Sequence, residues 1–181
     1  MNERAAQKEL YTHHYGFAMS IAVRYSSNQY YAIEMTNNVF LKIFKSMKKF
    51  APRHDDITIS FNAWFKNIVI NACIDHIRKY HKKDTMPTIE TSSIQVIDQK
   101  ETGENILEYK EIIKQVQQLS PACRAVFNLY AIDGFTHAEI AEKLHISEGS
   151  SKSSLFKARQ QLQAFFKPSN CLNYKKIGSA C

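Results

Sequence analysis

The fold of this chain is decided by residues 134–162, which read GFTHAEIAEKLHISEGSSKSSLFKARQQL. Thr136 precedes a short apolar pattern and Glu139 follows it by three residues, which is the spacing of a capping box at a helix start. After a tight connection around His145, Ser147 is suited to cap a second, longer helix. Two short helices joined in this way indicate a helix-turn-helix.

The second helix has two faces of opposite character. One face is apolar at three- and four-residue intervals, as expected of a face packed on a core: Leu155, Ala158, Leu162 and Phe165. The other offers cations for phosphates, small polar groups for base edges and a ring for a thymine methyl group: Lys152, Ser153, Phe156, Lys157 and Gln160. A solvated basic face in an ordinary helical bundle has the same spacing. The aromatic ring of Phe156 on this face favours DNA binding.

The composition favours a helical protein with a polyanionic partner. Of the 181 residues, 44% are hydrophobic, and the net charge is +7, which suits nucleic acid. Residues 1–83 carry 13 basic and 6 acidic side chains, whereas residues 84–104 carry one and five. No apolar run reaches the ~20 residues that span a bilayer, and the four cysteines lack paired metal-site spacing. We therefore expect a cytoplasmic protein without membrane insertion, metal or cofactor.

Helical periodicity runs along almost the whole chain. The apolar patterns predict helices over 10–25, 33–47 and 61–80, with a loop over 50–60. Residues 84–104 are acidic and have little periodicity, which indicates a flexible linker. Periodicity resumes at Ile106, and Ser120-Pro121 has the sequence of a further helix start, followed by a predicted stripe of Ala122, Val126, Phe127 and Tyr130.

The predicted fold class is therefore all-α, with two small helical domains joined by a flexible linker and a helix-turn-helix in the second domain. The predicted boundaries are 5–83 for the first domain, 84–104 for the linker, 105–167 for the second domain and 168–181 for a disordered tail.

Three segments together resemble one known family. They are AWFKNIVINACIDHIR at 63–78, LSPACRAVFNL at 119–129 and EIAEKLHISEGSSKSSLFKAR at 139–159. In this order and spacing they resemble an extracytoplasmic-function sigma factor, over roughly residues 5–166. The resemblance implies a non-enzymatic protein that binds core RNA polymerase and directs it to promoter DNA. It also allows for an anti-sigma factor as a partner, and we expect a monomer when the protein is free.

The resemblance and the residue types together suggest three sets of site residues. Minus-thirty-five recognition falls to the second helix of the helix-turn-helix: Ser150, Lys152, Ser153, Phe156, Lys157 and Arg159. Minus-ten recognition and melting need an aromatic, polar edge-readers and a basic run: Phe50, Ala51, Ile68, Asn71, Arg78, Lys79 and Lys82. Polymerase binding falls to the second helix of the first domain: Glu34, Asn37, Asn38, Phe40 and Leu41.

Structural roles remain open for some of these residues. Phe50 could instead be a core aromatic that closes its loop, and Asn71 a buried amide bonded to backbone. The basic run after residue 77 could be a solvated helix end that the helix dipole favours.

The chain departs from the family pattern at three places. Asn37 and Asn38 stand where glutamine and an acidic residue are usual, which weakens the electrostatic part of a contact with polymerase. Ser151 stands where helix-turn-helix proteins usually have an apolar residue, and we expect its hydroxyl to bond back to the carbonyl of Ser147. His145 replaces the usual glycine of the turn, where a positive φ would be tolerated at modest cost.

Two other functions fit parts of the sequence. The helix-turn-helix would also serve a transcriptional regulator that acts without replacing the sigma subunit. His54-Asp55-Asp56 resembles the His-Asp pair of metal-dependent phosphohydrolases, which is a remote alternative. His76 and His81 lie five residues apart and so face different sides of a helix, and neither a glycine-rich phosphate loop nor a paired-carboxylate motif accompanies them.

Overall fold

The computed structural model describes residues 3–81 and 103–166, in which every regular element is a helix and no strand occurs. The all-α fold class is therefore confirmed for this part of the chain. The chain divides into two compact units, Met1–Lys110 and Glu111–Cys181. Most of the predicted linker, the predicted tail and Lys82 lie outside the described residues. The helices are α1 Glu3–Tyr25, α2 Gln29–Ser46, α3 Ile57–His81, α4 Gly103–Gln118, α5 Pro121–Phe127, α6 His137–Leu144 and α7 Glu148–Phe165.

In the first unit, α1, α2 and α3 each pack against the other two. Asn28 caps α2, and its side-chain oxygen accepts the N–H of Tyr31 at 3.0 Å. A short 3-10 turn, Met47–Lys49, follows α2. The core is lined by aliphatic and aromatic side chains from all three helices, among them Ala18, Ile21, Val23, Met35, Val39, Ile43, Phe65, Val69 and Ile70.

The third helix begins four residues earlier than the sequence predicts. Asp56 causes the difference, because its carboxylate accepts the N–H groups of Thr58 at 2.7 Å and Ile59 at 3.2 Å, which satisfies free donors of the first turn. Ser60, assigned to the loop, is buried inside α3 and accepts backbone N–H groups of Arg53 and His54. The predicted loop over 50–60 is therefore wrong at its C-terminal end.

One stretch of the described chain, Ile57–Lys79, is long and apolar enough to cross a membrane by length and composition. A core helix of a soluble protein passes the same test, and Phe65, Val69 and Ile70 of this stretch are buried.

In the second described part of the chain, residues 103–166, the predicted starts of α5 and α6 are confirmed. Ser120 caps α5 with Pro121 in its first turn, and Thr136 forms a full capping box with Glu139 at the start of α6. The N–H and hydroxyl donated by Thr136 lower the pKa of the Glu139 carboxyl. Helix α4 begins at Gly103, so residues 103 and 104 belong to a helix and not to the predicted linker.

His145, in the turn of the helix-turn-helix, has the positive φ that the sequence analysis considered for this position. His145 has φ 54° and ψ 47°, in the left-handed region that glycine usually fills. Its N–H is directed to the last carbonyl groups of α6, those of Ala141 and Glu142. Helix α7 then packs on α5 and α6, with a core of Leu119, Cys123 and Ala158 flanked by Phe127 and Leu162.

Candidate nucleic-acid interface

Helix α7 presents one buried and one exposed face, as the sequence predicts. Ser147 caps the helix, and its Oγ accepts the N–H of Ser150 at 3.1 Å. Leu155 and Ala158 are buried. All six residues proposed for minus-thirty-five contact are exposed, and Phe156 has 68% of its surface accessible. The exposed face therefore has the composition and the access that major-groove recognition needs.

The small polar groups of this face are engaged with one another at the start of the helix. Ser150 Oγ lies 2.9 Å from Ser147 Oγ, and Ser153 Oγ donates to the carbonyl of Ser150 at 3.0 Å. Lys152 Nζ lies 3.9 Å from the carboxylate of Glu148, one turn earlier. These bonds are short-range and solvent-exposed, so hydroxyl and ammonium groups can exchange them for DNA acceptors at little cost.

Ser151 is fully buried, and its partner is not the one predicted. Its Oγ lies 2.9 Å from Nδ1 of His137 on α6, and the donor in this bond depends on the imidazole tautomer. The expected bond to the carbonyl of Ser147 is therefore replaced by a bond between the two helices of the helix-turn-helix.

Arg159 lies in an aromatic environment that sequence analysis missed. Its guanidinium carbon is 5.6 Å from the centre of the Tyr130 ring, which in turn stacks on His137 with centroids 4.5 Å apart and planes at 23°. The sequence placed Tyr130 in the buried stripe of α5. A π-helical turn, Asn128–Ile132, changes the register there, so Tyr130 is exposed while Leu129 is buried. Ala122, in the first turn of α5, is also exposed, so the predicted stripe is wrong at both of its ends.

Beneath α7, one cation is held in the interior of the second unit. Arg124 is 4% exposed and its Nη2 donates to the carbonyl of Leu119 at 2.8 Å. Burial lowers the pKa of Arg124 to about 10, which still leaves the guanidinium charged at neutral pH. Asn128 donates to the carbonyl of Arg124 at 2.9 Å, which ties the π-helical turn to α5.

In the first unit, the candidate minus-ten residues lie on the loop before α3 and along α3. Phe50 is half-buried and contacts two rings of α3: its centroid is 5.6 Å from that of Phe61 and 5.2 Å from that of Trp64. Ala51 beside it is exposed. The structural role considered for Phe50 is thus partly confirmed, since its ring closes the loop onto α3 while retaining some exposure.

The remaining minus-ten candidates follow α3. Ile68 is half-buried, and Asn71 is exposed, which contradicts the alternative of a buried amide. Lys79 is exposed. Arg78 is half-buried, and its guanidinium lies 3.7 Å from Asp75, whose carboxylate also accepts Lys42 of α2 at 2.6 Å.

The polymerase-binding candidates divide into surface and core residues. Asn37, Asn38 and Leu41 are exposed on α2. Phe40 is 2% exposed and packs against Tyr11 and Phe65. The prediction that Phe40 contacts a partner directly is therefore wrong. Its ring lies in the core, whereas the side chain of the next residue, Leu41, lies on the surface.

Glu34 lies at the edge of the same face, beside a buried histidine. Its Oε2 is 3.6 Å from Nε2 of His76. Burial lowers the pKa of His76, and Glu34 opposes this effect. The imidazole is thus neutral at neutral pH and adds no positive charge beside Glu34.

Within the segment His54-Asp55-Asp56, the aspartate at position 56 has a structural role. Asp56 caps α3, as described above, and all three side chains are exposed. Among the residues that the structure describes, no three histidine, cysteine, aspartate or glutamate side chains group as metal ligands.

Two family models match the chain and cover most of it. The model for sigma-70 region 2 matches residues 10–83, and the model for sigma-70 region 4 matches residues 109–162. The chain belongs to the sigma-70 family. The resemblance deduced from the sequence is confirmed, and region 2 corresponds to the unit of α1 to α3, region 4 to the unit that contains α7.

Two curated relatives are extracytoplasmic-function sigma factors. SigE of Mycolicibacterium smegmatis is 24% identical over 166 residues, which cover 87% of this chain and 60% of the relative. SigM of Bacillus subtilis is 32% identical over 106 residues, which cover 57% of this chain and 63% of the relative. The chain thus spans under two thirds of the length of each.

A solved structure shares the fold. It is the sigma factor RpoE in complex with the anti-sigma factor NepR from Bartonella quintana, with a TM-score of 0.53 and 18% identity, covering 89% of this chain and 96% of that one. The arrangement of sigma-70 helices in this chain therefore has an experimental counterpart.

Proposed function

We propose that this protein is a sigma factor that binds core RNA polymerase and directs it to a specific set of promoters. The observation that carries the proposal is the capped helix α7, whose exposed face joins cations, hydroxyls and the 68% exposed ring of Phe156. Within sigma-70 region 4, such a face suits a duplex minus-thirty-five element. Ser153, Phe156 and Lys157 contact base edges in this proposal, while Ser150, Lys152 and Arg159 contact phosphates.

Region 2 performs the second task in this proposal, the capture and melting of the minus-ten element. A flipped base needs an aromatic platform and polar groups that read its edge. The half-buried ring of Phe50 next to exposed Ala51, with exposed Asn71 on α3, supports such a pocket. Ile68 forms its wall, and Arg78, Lys79 and Lys82 hold the backbone phosphates.

Polymerase binding uses the exposed face of α2 in this proposal. Leu41 is 58% exposed, and covering its apolar surface with a partner is favourable because that surface is removed from water. Glu34, Asn37 and Asn38 supply the polar part of the contact. Asn37 and Asn38 carry no charge. We therefore expect the affinity for a basic surface of polymerase to fall less steeply with salt than it would with the usual acidic residue.

The role needs no chemistry of its own, since the polymerase carries out RNA synthesis. The protein acts in the cytoplasm, as a monomer when free, and an anti-sigma factor is a partner that its α-helical surfaces can accept.

Co-purification with core polymerase followed by run-off transcription on genomic fragments tests the proposal. The wild-type chain should form a holoenzyme and yield discrete start sites that core polymerase alone does not use. Leu41→Ala should weaken holoenzyme formation, with Ile57→Ala, an equally exposed apolar change outside α2, as the matched control. A chain that binds polymerase without conferring any start site would support the regulator alternative instead.

A further inference from the structure

Tyr130 connects the interior of region 4 to the proposed DNA face. One side of its ring stacks on His137, at 4.5 Å between centroids, and Arg159 lies over the ring at 5.6 Å. His137 in turn lies 2.9 Å from the buried hydroxyl of Ser151. The stack therefore involves α6 and contacts α7 at Ser151 and Arg159, which are about two turns apart.

The segment that carries Tyr130 is itself held by backbone bonds at both ends. The N–H of Asp133 donates to the carbonyl of Asn128 at 2.9 Å, and the N–H of Phe135 donates to the carbonyl of Leu129 at 2.9 Å. The first of these bonds has the five-residue spacing of the π-helical turn, which places Tyr130 outside the buried stripe. Single π-helical turns inside helices often lie at functional sites, and here the turn places a ring where a cation of α7 can lie over it.

We propose that Tyr130, backed by His137, is a positioning residue that holds the guanidinium of Arg159 for a phosphate of the minus-thirty-five duplex. The inference rests on the function proposed above. An arginine side chain has high rotamer freedom, and ordering it on binding weakens affinity. A guanidinium over an aromatic face is ordered before DNA arrives, and its outward N–H groups remain available to phosphate oxygens.

Other features of the stack support this role over simple packing. Tyr130 is 36% exposed and Arg159 is exposed, so the pair contributes little to the core. Lys152, another cation of α7, lies near the carboxylate of Glu148, whereas Arg159 lies over the ring of Tyr130. The ring orients the cation without neutralising its charge, which is what a phosphate contact needs.

A double-mutant cycle on the full chain in holoenzyme tests the inference. The probe is the duplex that the wild-type holoenzyme selects from a randomised library, and the readout is equilibrium binding over a series of salt concentrations. Tyr130→Leu should weaken binding about two- to fivefold, the range of an exposed cation–π contact. Arg159→Ala should weaken it more and reduce the salt slope by about one. In the Arg159→Ala background, Tyr130→Leu should have no further effect.

The matched control is Tyr130→Phe, which keeps the ring face and should restore wild-type affinity. A second measurement in the free protein covers the case in which Tyr130→Leu does not fold. In wild type, the side-chain proton resonances of Arg159 should show an upfield ring-current displacement, and in Tyr130→Phe they should keep it.

The outcomes separate the inference from the proposed function. A wild-type holoenzyme that selects no duplex would refute the proposed function and the inference with it. Selective wild-type binding with additive effects of the two substitutions would refute the inference alone. Arg159 resonances without displacement in wild type would also refute it, since the ring would then not hold the guanidinium.

Discussion

The substitution Phe156→Ala separates recognition by α7 from its stability. The ring is 68% exposed, so about a third of it is covered in the free protein. Since full burial of a phenylalanine is worth ~1.5–3 kcal/mol, loss of that third lowers the unfolding free energy by up to ~1 kcal/mol. If DNA covers the remaining two thirds, the variant loses ~1–2 kcal/mol of binding, or about 5- to 30-fold in affinity.

The assay should identify the contact as well as its strength. We expect the ring to touch a thymine methyl group in the major groove. Equilibrium binding is therefore measured on duplexes in which each thymine is replaced in turn by deoxyuridine, which lacks that methyl group. One replacement should weaken wild-type binding and leave Phe156→Ala unaffected, because the variant has already lost the contact.

The neighbouring Leu155 provides the matched control. It is 4% exposed, so Leu155→Ala should cost ~2–5 kcal/mol of unfolding free energy and reduce binding only through the folded fraction. The assignment of this face to base contact would be refuted by a Phe156→Ala variant that binds every duplex with wild-type affinity.

Three further predictions concern the other candidate residues. Lys157→Ala should cost ~1–3 kcal/mol of binding free energy and relax specificity at one base pair. Lys152→Ala should weaken binding to all sequences alike. If both variants bind every duplex as wild type does, the assignment of α7 as the recognition helix is wrong. Phe50→Ala and Asn71→Ala should leave duplex binding by region 4 intact but lower permanganate reactivity of thymines near the start site, and unchanged reactivity in folded variants would eliminate the base pocket. Limited proteolysis of the free protein should cut first within residues 84–104, and resistance there would contradict a linker.

The starts of α5, α6 and α7 were predictable because their determinants are local. Thr136 and Glu139, Ser120 with Pro121, and Ser147 each satisfy free N–H groups within one turn, so four residues of sequence contain the whole interaction. The exposed face of α7 was predictable for a related reason, since the 3.6-residue period fixes which side chains share a side.

Features that depend on distant partners were not predictable. Phe40 was assigned to a partner surface, but its burial is decided by Tyr11 of α1 and Phe65 of α3, 29 and 25 residues away in sequence. The exposure of Tyr130 depends on a π-helical turn, which shifts the register without a periodic signal in the sequence. The start of α3 could have been predicted from the sequence, since Asp56 precedes an apolar run and aspartate is a preferred N-cap residue.

The buried hydroxyl of Ser151 bonds to a residue distant in sequence rather than to the preceding turn of its own helix. A buried hydroxyl costs ~1–3 kcal/mol if unpaired, and the carbonyl four residues earlier is always within reach, so the sequence favoured that acceptor. The structure pairs the hydroxyl with His137, fourteen residues away. A bond to the preceding turn would have satisfied Ser151 alone, whereas this bond fixes α7 against α6. Because His137 also stacks on the ring beneath Arg159, this buried serine belongs to the arrangement that we propose presents a cation to DNA.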